Sequence, residues 1–275
     1  MSNKLTPKQI EVFGDMKLDF EGILASVIFM LERGQFETAR EVNNYIKGEW
    51  LIRNDYYGDR YGAYVTTVYP YGGIEEHQWI CVSVNTEVAH GRLTTIEGDT
   101  KYLLDGDLVS IDFFGKIWLA EEEHYMHYDC AATTIFNQNN DTIWSGSRIH
   151  LVLVGRRALE IAKAHATTEY TVGEMAKAVE DYVVGQGYFI CRELAGHHIG
   201  SELHMRPSIP FSPLMVRKGG DTRFEVGTAV AVEPIIFSQA TSAVIGQDNM
   251  TLLPLNGEAL SVHFETSVLI KEGGK

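Results

Sequence analysis

The sequence predicts an α+β domain of two similar halves, with helices packed on a mainly antiparallel sheet. Three observations carry this. A pair of helical segments opens each half, and β-rich sequence follows each pair. The closing helices of the two pairs also share letters: Val42-Asn-Asn-Tyr45-Ile46-Lys-Gly48 and Val179-Glu-Asp-Tyr182-Val183-Val-Gly185 both read V-x-x-Y-(I/V)-x-G. One such match is ordinary for an amphipathic helix, but its recurrence after a similar preceding helix points to an internal duplication. The chain is therefore read as one domain over 1–275, built of pseudo-repeats at about 1–140 and 141–275.

The first helix announces itself at Thr6-Pro7-Lys8-Gln9, with an N-cap, a proline at the first helical position and a glutamine three residues after the cap. Phe20, Ile23, Leu24, Val27, Ile28 and Leu31 then recur at helical spacing. A second helix is expected from Thr38 to Lys47, stopped by Gly48 as a left-handed terminator. In the second half Leu151, Val154, Leu159 and Ile161 form one stripe, and a helix from Val172 to Val184 ends at Gly185. Short segments rich in β-branched and aromatic residues follow at Leu108–Phe113, Lys116–Ala120, Tyr128–Phe136, Ala229–Ile236 and His263–Ile270. Asp105-Gly106-Asp107 marks a turn before the first of them.

Composition narrows the function. A chain of 275 residues with 45% apolar and 22% charged residues buries a sizeable core. Its formal charge of 23 minus 37, or −14, repels phosphate backbones and anionic lipid, so neither nucleic acid nor a membrane surface is an expected partner. Cys81, Cys130 and Cys191 are odd in number, widely spaced and without a CxxC pair, which indicates neither a disulfide framework nor a cysteine zinc site. With no apolar leader in MSNKLTPKQ, a reducing cytoplasm fits best.

Acids inside apolar segments carry the chemistry. Asp112 in Val109-Ser-Ile-Asp-Phe-Phe, Glu233 in Ala231-Val-Glu-Pro and Glu265 in Val262-His-Phe-Glu stand where core residues are expected. A lone buried carboxylate protonates, pairs or binds a metal. Any one of these acids is equally well read as facing solvent or holding a buried hydroxyl; several together, with histidines near segment ends, favour a metal. His197 and His198 lie between Gly196 and Gly200, which let backbone and ligand come close. His204 follows shortly, His90 lies in Val84–Gly91, and His124 and His127 read as loop residues near a strand end.

The stretches VNTEVAHG, LLDGDLVSID, YDCAATT, AGHHIGSELH, FEVGTAVAVEP and SVHFETSVLI resemble, in order, the motifs of methionine aminopeptidases. More broadly they are similar to the pita-bread metallopeptidases, which include Xaa-Pro aminopeptidases and creatinase. The resemblance spans nearly the whole chain and implies the pita-bread fold. It places metal ligands at Asp112, Asp129, His197, Glu233 and Glu265, holding two divalent ions from among Mn, Fe, Co and Zn. Four carboxylates offset two divalent charges, and oxygen-rich ligation with one imidazole suits Mn, Fe or Co better than a structural zinc. Two such ions roughly 3.5 Å apart share a water and turn it into hydroxide. In the family Asp129 and Glu265 bridge the ions, and Glu233 also takes the water's proton. His204 stabilises the tetrahedral intermediate, and His90 contacts substrate near the scissile amide.

The chain departs from the family in four places. The interval from Asp112 to Asp129 is longer and contains Glu121-Glu122-Glu123, which implies a lengthened hairpin. His198 replaces a glycine beside a ligand and is expected to line the substrate pocket. Leu203 replaces an aromatic, and Met205-Arg206 an acidic pair. Thr241–Leu260 lacks the tryptophan expected near a methionine pocket. Cys81 stands where the family has a pocket cysteine, and Tyr69 or Tyr71 is a candidate pocket wall. The leading reading is an aminopeptidase acting on a peptide or small amide with a free amino terminus, as a monomer or small homo-oligomer. Methionine is its default substrate, although the altered pocket predicts that methionine is handled poorly. The alternatives are a relative cleaving X-Pro peptides or a specialised small amide, and a binding module that has lost catalysis.

Overall fold

The structure, a computed structural model, describes residues 3–66, 78–138, 146–217 and 221–272. Thr6 caps the first helix as expected: its hydroxyl accepts from the Gln9 N–H, and the Gln9 side chain accepts from the Thr6 N–H. The helices are α1 (Pro7–Leu31), α2 (Ala39–Leu51), α3 (Asn54–Tyr61), α4 (Gly146–His165) and α5 (Val172–Gly185). The strands of the first half are β1 (Ala63–Thr66), β2 (Ile80–Val84), β3 (Leu108–Leu119) and β4 (His124–Ile135). Those of the second are β5 (Phe189–Ile190), β6 (Gly196–Ile199), β7 (Met205–Ile209), β8 (Ala229–Val232), β9 (Ile235–Phe237), β10 (Ala243–Ile245), β11 (Leu252–Pro254), β12 (Ser261–His263) and β13 (Glu265–Leu269).

Eight strands form one sheet in the order β1-β3-β4-β13-β8-β6-β7, with β2 paired to β3 beside β1. Every pairing of this sheet is antiparallel. Strands β12, β9 and β5 make a second small sheet, and β10 and β11 a third. The predicted α+β class of helices on a mainly antiparallel sheet is therefore what the chain adopts.

Side-chain alternation divides the large sheet into a helix face and a site face. Phe113 and Tyr128 point to α1, where Phe20 stacks on Phe113 with centroids 4.3 Å apart and lies 5.3 Å from Tyr128. Val230, Val232 and Phe264 join a second apolar cluster with α4 and α5. Asp112 and Asp129, one position out of phase, face the other way.

Several expected boundaries move. Gly48 does not stop α2: the helix runs on to Leu51 with a right-handed cap at Ile52, because fully buried Trp50 packs edge-on against Phe20 at 4.5 Å. Helix α5 does end at Gly185, but the left-handed glycine is Gly187. Leu108–Phe113 and Lys116–Ala120 merge into one strand. Gly115 between them is a close approach, since a Cβ there would lie 2.8 Å from the Phe20 ring. The predicted strand from Ala229 breaks after Val232, where Pro234 cannot donate to a ladder. The one from His263 breaks at Phe264. His124 and His127 lie within β4 rather than in a loop. The His127 backbone N–H and Nδ1 both reach the Gly200 carbonyl, at 2.9 and 2.8 Å. None of the described helices is long and apolar enough to cross a membrane. All three cysteines are buried and unbridged.

Candidate metal centre

Strand register brings the acids into one row. Asp112 on β3 and Glu265 on β13 both pair with Ala131 of β4, from opposite sides. Asp129 lies two residues from Ala131 on the same face, opposite Phe114. Thr266 pairs with Val232, so Glu233, just past the end of β8, comes level with Glu265. His197 on β6 pairs with Ala231 and completes the row. Ala131 and Ala231, both buried, leave room for the longer side chains around them.

The side chains meet. The His197 Nε2 lies 3.6 Å from Glu233 Oε1 and 4.0 Å from Asp129 Oδ2. His197 Nδ1 donates to the His198 carbonyl at 3.0 Å, which fixes its tautomer and leaves Nε2 free for the acids. Ser267 clamps Asp129 through both backbone groups, accepting from its N–H at 3.1 Å and donating to its carbonyl at 2.9 Å. The lengthened β3–β4 hairpin, with Glu121-Glu122-Glu123 in its turn, thus still delivers Asp129 to the cluster.

A residue missed in the sequence also sits here. His263, fully buried, has its Nε2 3.7 Å from Glu233 Oε2 and 3.6 Å from Glu265 Oε2. The available signal was the H-x-E spacing, which sends His263 and Glu265 to one face while Phe264 turns towards α4. Thr133 holds it, accepting from the His263 N–H at 2.8 Å and donating to its carbonyl at 2.9 Å.

Burial and mutual repulsion dominate the electrostatics. Burial pushes the Asp112 carboxyl up to about 7, partly offset by a hydrogen bond with Asp129. Asp129, Glu233 and Glu265 are driven well above the usual carboxylate range, by burial first and neighbouring carboxylates second. Burial also lowers His197 and His90 to about 4 and His263 to about 3. Oδ1 of Asp112, Oδ1 of Asp129, Oε1 of Glu265 and Nε2 of His263 are buried without a hydrogen-bond partner. A cluster of acids with orphaned donor atoms is unfavourable alone and fits divalent cations. Asp129, His197 and Glu265 could share one ion, as could Glu233, His263 and Glu265.

The cluster opens on a small cavity that His90, His204, Phe114 and Leu203 also line. His204 stands edge-on to His197 with centroids 4.5 Å apart. His90 holds a left-handed backbone, φ 56°. Beside them lies a cleft of 730 Å³ lined by His197, His204, Met205, Arg206, Met215 and Arg217 among others.

The predicted pocket residues fare unevenly. Leu203 and His90 reach the cavity. Cys81 is fully buried opposite Asp112 on β2 and is not among the described lining residues. His198 needs correction: next to His197 in a strand, it points to the opposite face, where its Nδ1 donates to the Pro207 carbonyl at 3.0 Å. It lines a separate cavity with Arg223 and Glu225. Tyr69 and Tyr71 lie outside the described residues.

Comparison with known proteins identifies the family. Residues 21–272 match metallopeptidase family M24. A methionine aminopeptidase of Borreliella burgdorferi is 32% identical over 203 residues, 70% of each chain. Methionine aminopeptidase 1 of Bacillus subtilis is 30% identical over 197 residues, 71% of each chain. The crystal structure of a methionine aminopeptidase from Thermotoga maritima superposes with a TM-score of 0.79 at 26% identity, covering 99% of this chain and 96% of that one. An X-Pro aminopeptidase from Thermotoga maritima shares the fold, with a TM-score of 0.60 at 17% identity, over 98% of this chain and 60% of that one.

Proposed function

The chain belongs to metallopeptidase family M24 and is a metal-dependent aminopeptidase, and from that premise we propose that it uses two divalent ions to cleave the first peptide bond of substrates with a free amino terminus. The observation that carries this is the convergence of Asp112, Asp129, His197, Glu233 and Glu265 from five strand segments, with buried oxygens left unpartnered. When bound, divalent ions at such a centre supply Lewis-acid polarisation and make water acidic near neutral pH.

The chain's own groups do the rest. Asp129 and Glu265, in the middle of the row, would hold the ions together with Asp112 from one side and His197 and Glu233 from the other. Glu233 holds and passes a proton at its carboxylate, which burial and the nearby Asp129 and Asp112 make unusually basic. His204 and His90 face the cavity as neutral imidazoles that hydrogen-bond the amide undergoing attack. Phe114 and Leu203 exclude water there. Both pseudo-repeats, 1–140 and 141–275, contribute acids, so we read them as one catalytic domain.

Methionine is the reference first residue, in line with the names of the relatives, and Mn, Fe, Co and Zn are the candidate ions. Net charge −14 and three unbridged cysteines favour peptide over nucleic-acid substrates and a cytoplasmic setting, with the protein acting as a monomer or small homo-oligomer. The test is peptide hydrolysis by protein stripped of metal and then given each ion in turn. Turnover should require the metal. Full turnover in metal-stripped protein ends this reading.

A further inference from the structure

Around the acid cluster, the two buried imidazoles stand in equivalent positions. His197 approaches Glu233 from its Oε1 side at 3.6 Å, and His263 from its Oε2 side at 3.7 Å. His263 also lies 3.6 Å from Glu265 Oε2. These separations are too long for hydrogen bonds. They match the spacing of donors sharing one first-row ion, whose bonds of about 2.0–2.2 Å put neighbouring ligand atoms roughly 3–3.6 Å apart. The Nε2 of His263 has no hydrogen-bond partner although the side chain is 4% exposed. Its backbone N–H and carbonyl are both held by the Thr133 hydroxyl, which itself shares a 2.7 Å hydrogen bond with Ser110.

We infer that His263 is a metal ligand, donating its Nε2 to the ion held by Glu233 and Glu265, so that this centre carries two imidazoles rather than the one that the sequence resemblance implies. The inference rests on the metallopeptidase reading of the same site. A second imidazole makes the donor set less oxygen-rich and moves its preference from Mn towards Zn and Co. A buried imidazole whose backbone is held on both sides by one hydroxyl is pre-aimed, and its loss is expected to cost affinity more than folding.

Two measurements test this on the full chain, neither reading activity. X-ray absorption at the zinc edge of the zinc-loaded protein counts imidazole scatterers, and the count should fall by one in His263→Gln. Calorimetric titration of metal-stripped protein should show Zn affinity reduced roughly 10–100-fold in His263→Gln, with a smaller loss for Mn. An unchanged imidazole count, or equal losses for Zn and Mn, overturns the inference while leaving a metal centre in place. If the parent protein takes up no ion at all, the inference falls together with the metallopeptidase reading. Should His263→Gln fail to fold, the parent's spectrum decides: a single imidazole per ion pair overturns the assignment.

Discussion

Glu233 lies between two imidazoles and level with Glu265, so its replacement by glutamine keeps the surrounding groups in place and removes the proposed proton acceptor. Glu233→Gln and His197→Ala are expected to lower kcat by several powers of ten, about 10³-fold or more, with far-ultraviolet circular dichroism unchanged. Near-normal turnover in both would move catalysis elsewhere. Protonation at the cluster gives a second outcome. Asp112, with its folded value raised to about 7, favours the protonated form, so without metal its contribution is present at low pH and is lost as pH rises towards 7. Asp129, Glu233 and Glu265 shift the same way. His197 and His263, lowered to about 4 and about 3, stabilise the fold above their usual value and lose that contribution as pH falls. Metal binding needs ionised carboxylates, so it displaces protons. The rise in Tm produced by Mn or Zn over chelator should therefore grow between about pH 5.5 and about pH 7.5. An increment that stays flat over that range contradicts the assigned protonation states.

At the scale of elements, two helical glycines play different parts. Gly155 of α4 lies against β12 and the Phe264 ring, where a Cβ would come within 2.7 Å of the ring and 2.8 Å of Val262. Phe264 separates His263 from Glu265, so pressure from α4 reaches the centre directly. Gly155→Ala should destabilise by about 1–3 kcal/mol through overpacking and also weaken metal binding. Gly48 is exposed in the interior of α2 with nothing near its missing Cβ. Gly48→Ala should stabilise by about 0.4–1 kcal/mol and leave metal affinity alone. Denaturant midpoints and metal titrations of both variants check the pair, and similar effects from the two would refute the packing argument. Gly48 also shows why helix ends are hard to place from sequence: Trp50, two residues later, draws its helix onward into the core.

For the whole molecule, the cleft beside the centre is the surface on which selectivity is predicted to rest. Met205, Met215, Pro210 and Val216 make part of its wall apolar, whereas Arg206 and Arg217 bring two guanidinium groups to a protein of net charge −14. A substrate extending into this cleft gains most if it carries a carboxylate near the scissile bond. Peptides with an acidic residue after the cleaved position should show higher kcat/KM than their amide counterparts, and Arg206→Gln should reduce the difference by roughly tenfold. Varying only the first residue tests the apolar side: with Leu203 in the cavity wall and His198 turned away, methionine should not be a sharp maximum. A clear maximum at methionine with no acidic preference would assign the cleft a passive role.

By itself the sequence determined the α+β class, the capped first helix, the recurring helix pairs and the acids out of place in apolar strands. These are local properties: capping chemistry, periodicity and the cost of burying a charge are written within a few residues. Only the tertiary structure decided how Ala131 comes to separate Asp112 from Glu265, why His198 is turned away from its neighbour's site, and that His263 faces Glu233. Such relations depend on strand register, where one residue's slip exchanges the faces, and on the break at Phe264 that no local pattern specifies. His263 reads as part of an ordinary apolar strand until Thr133 and Glu233, both distant in the chain, close around it beside Glu265.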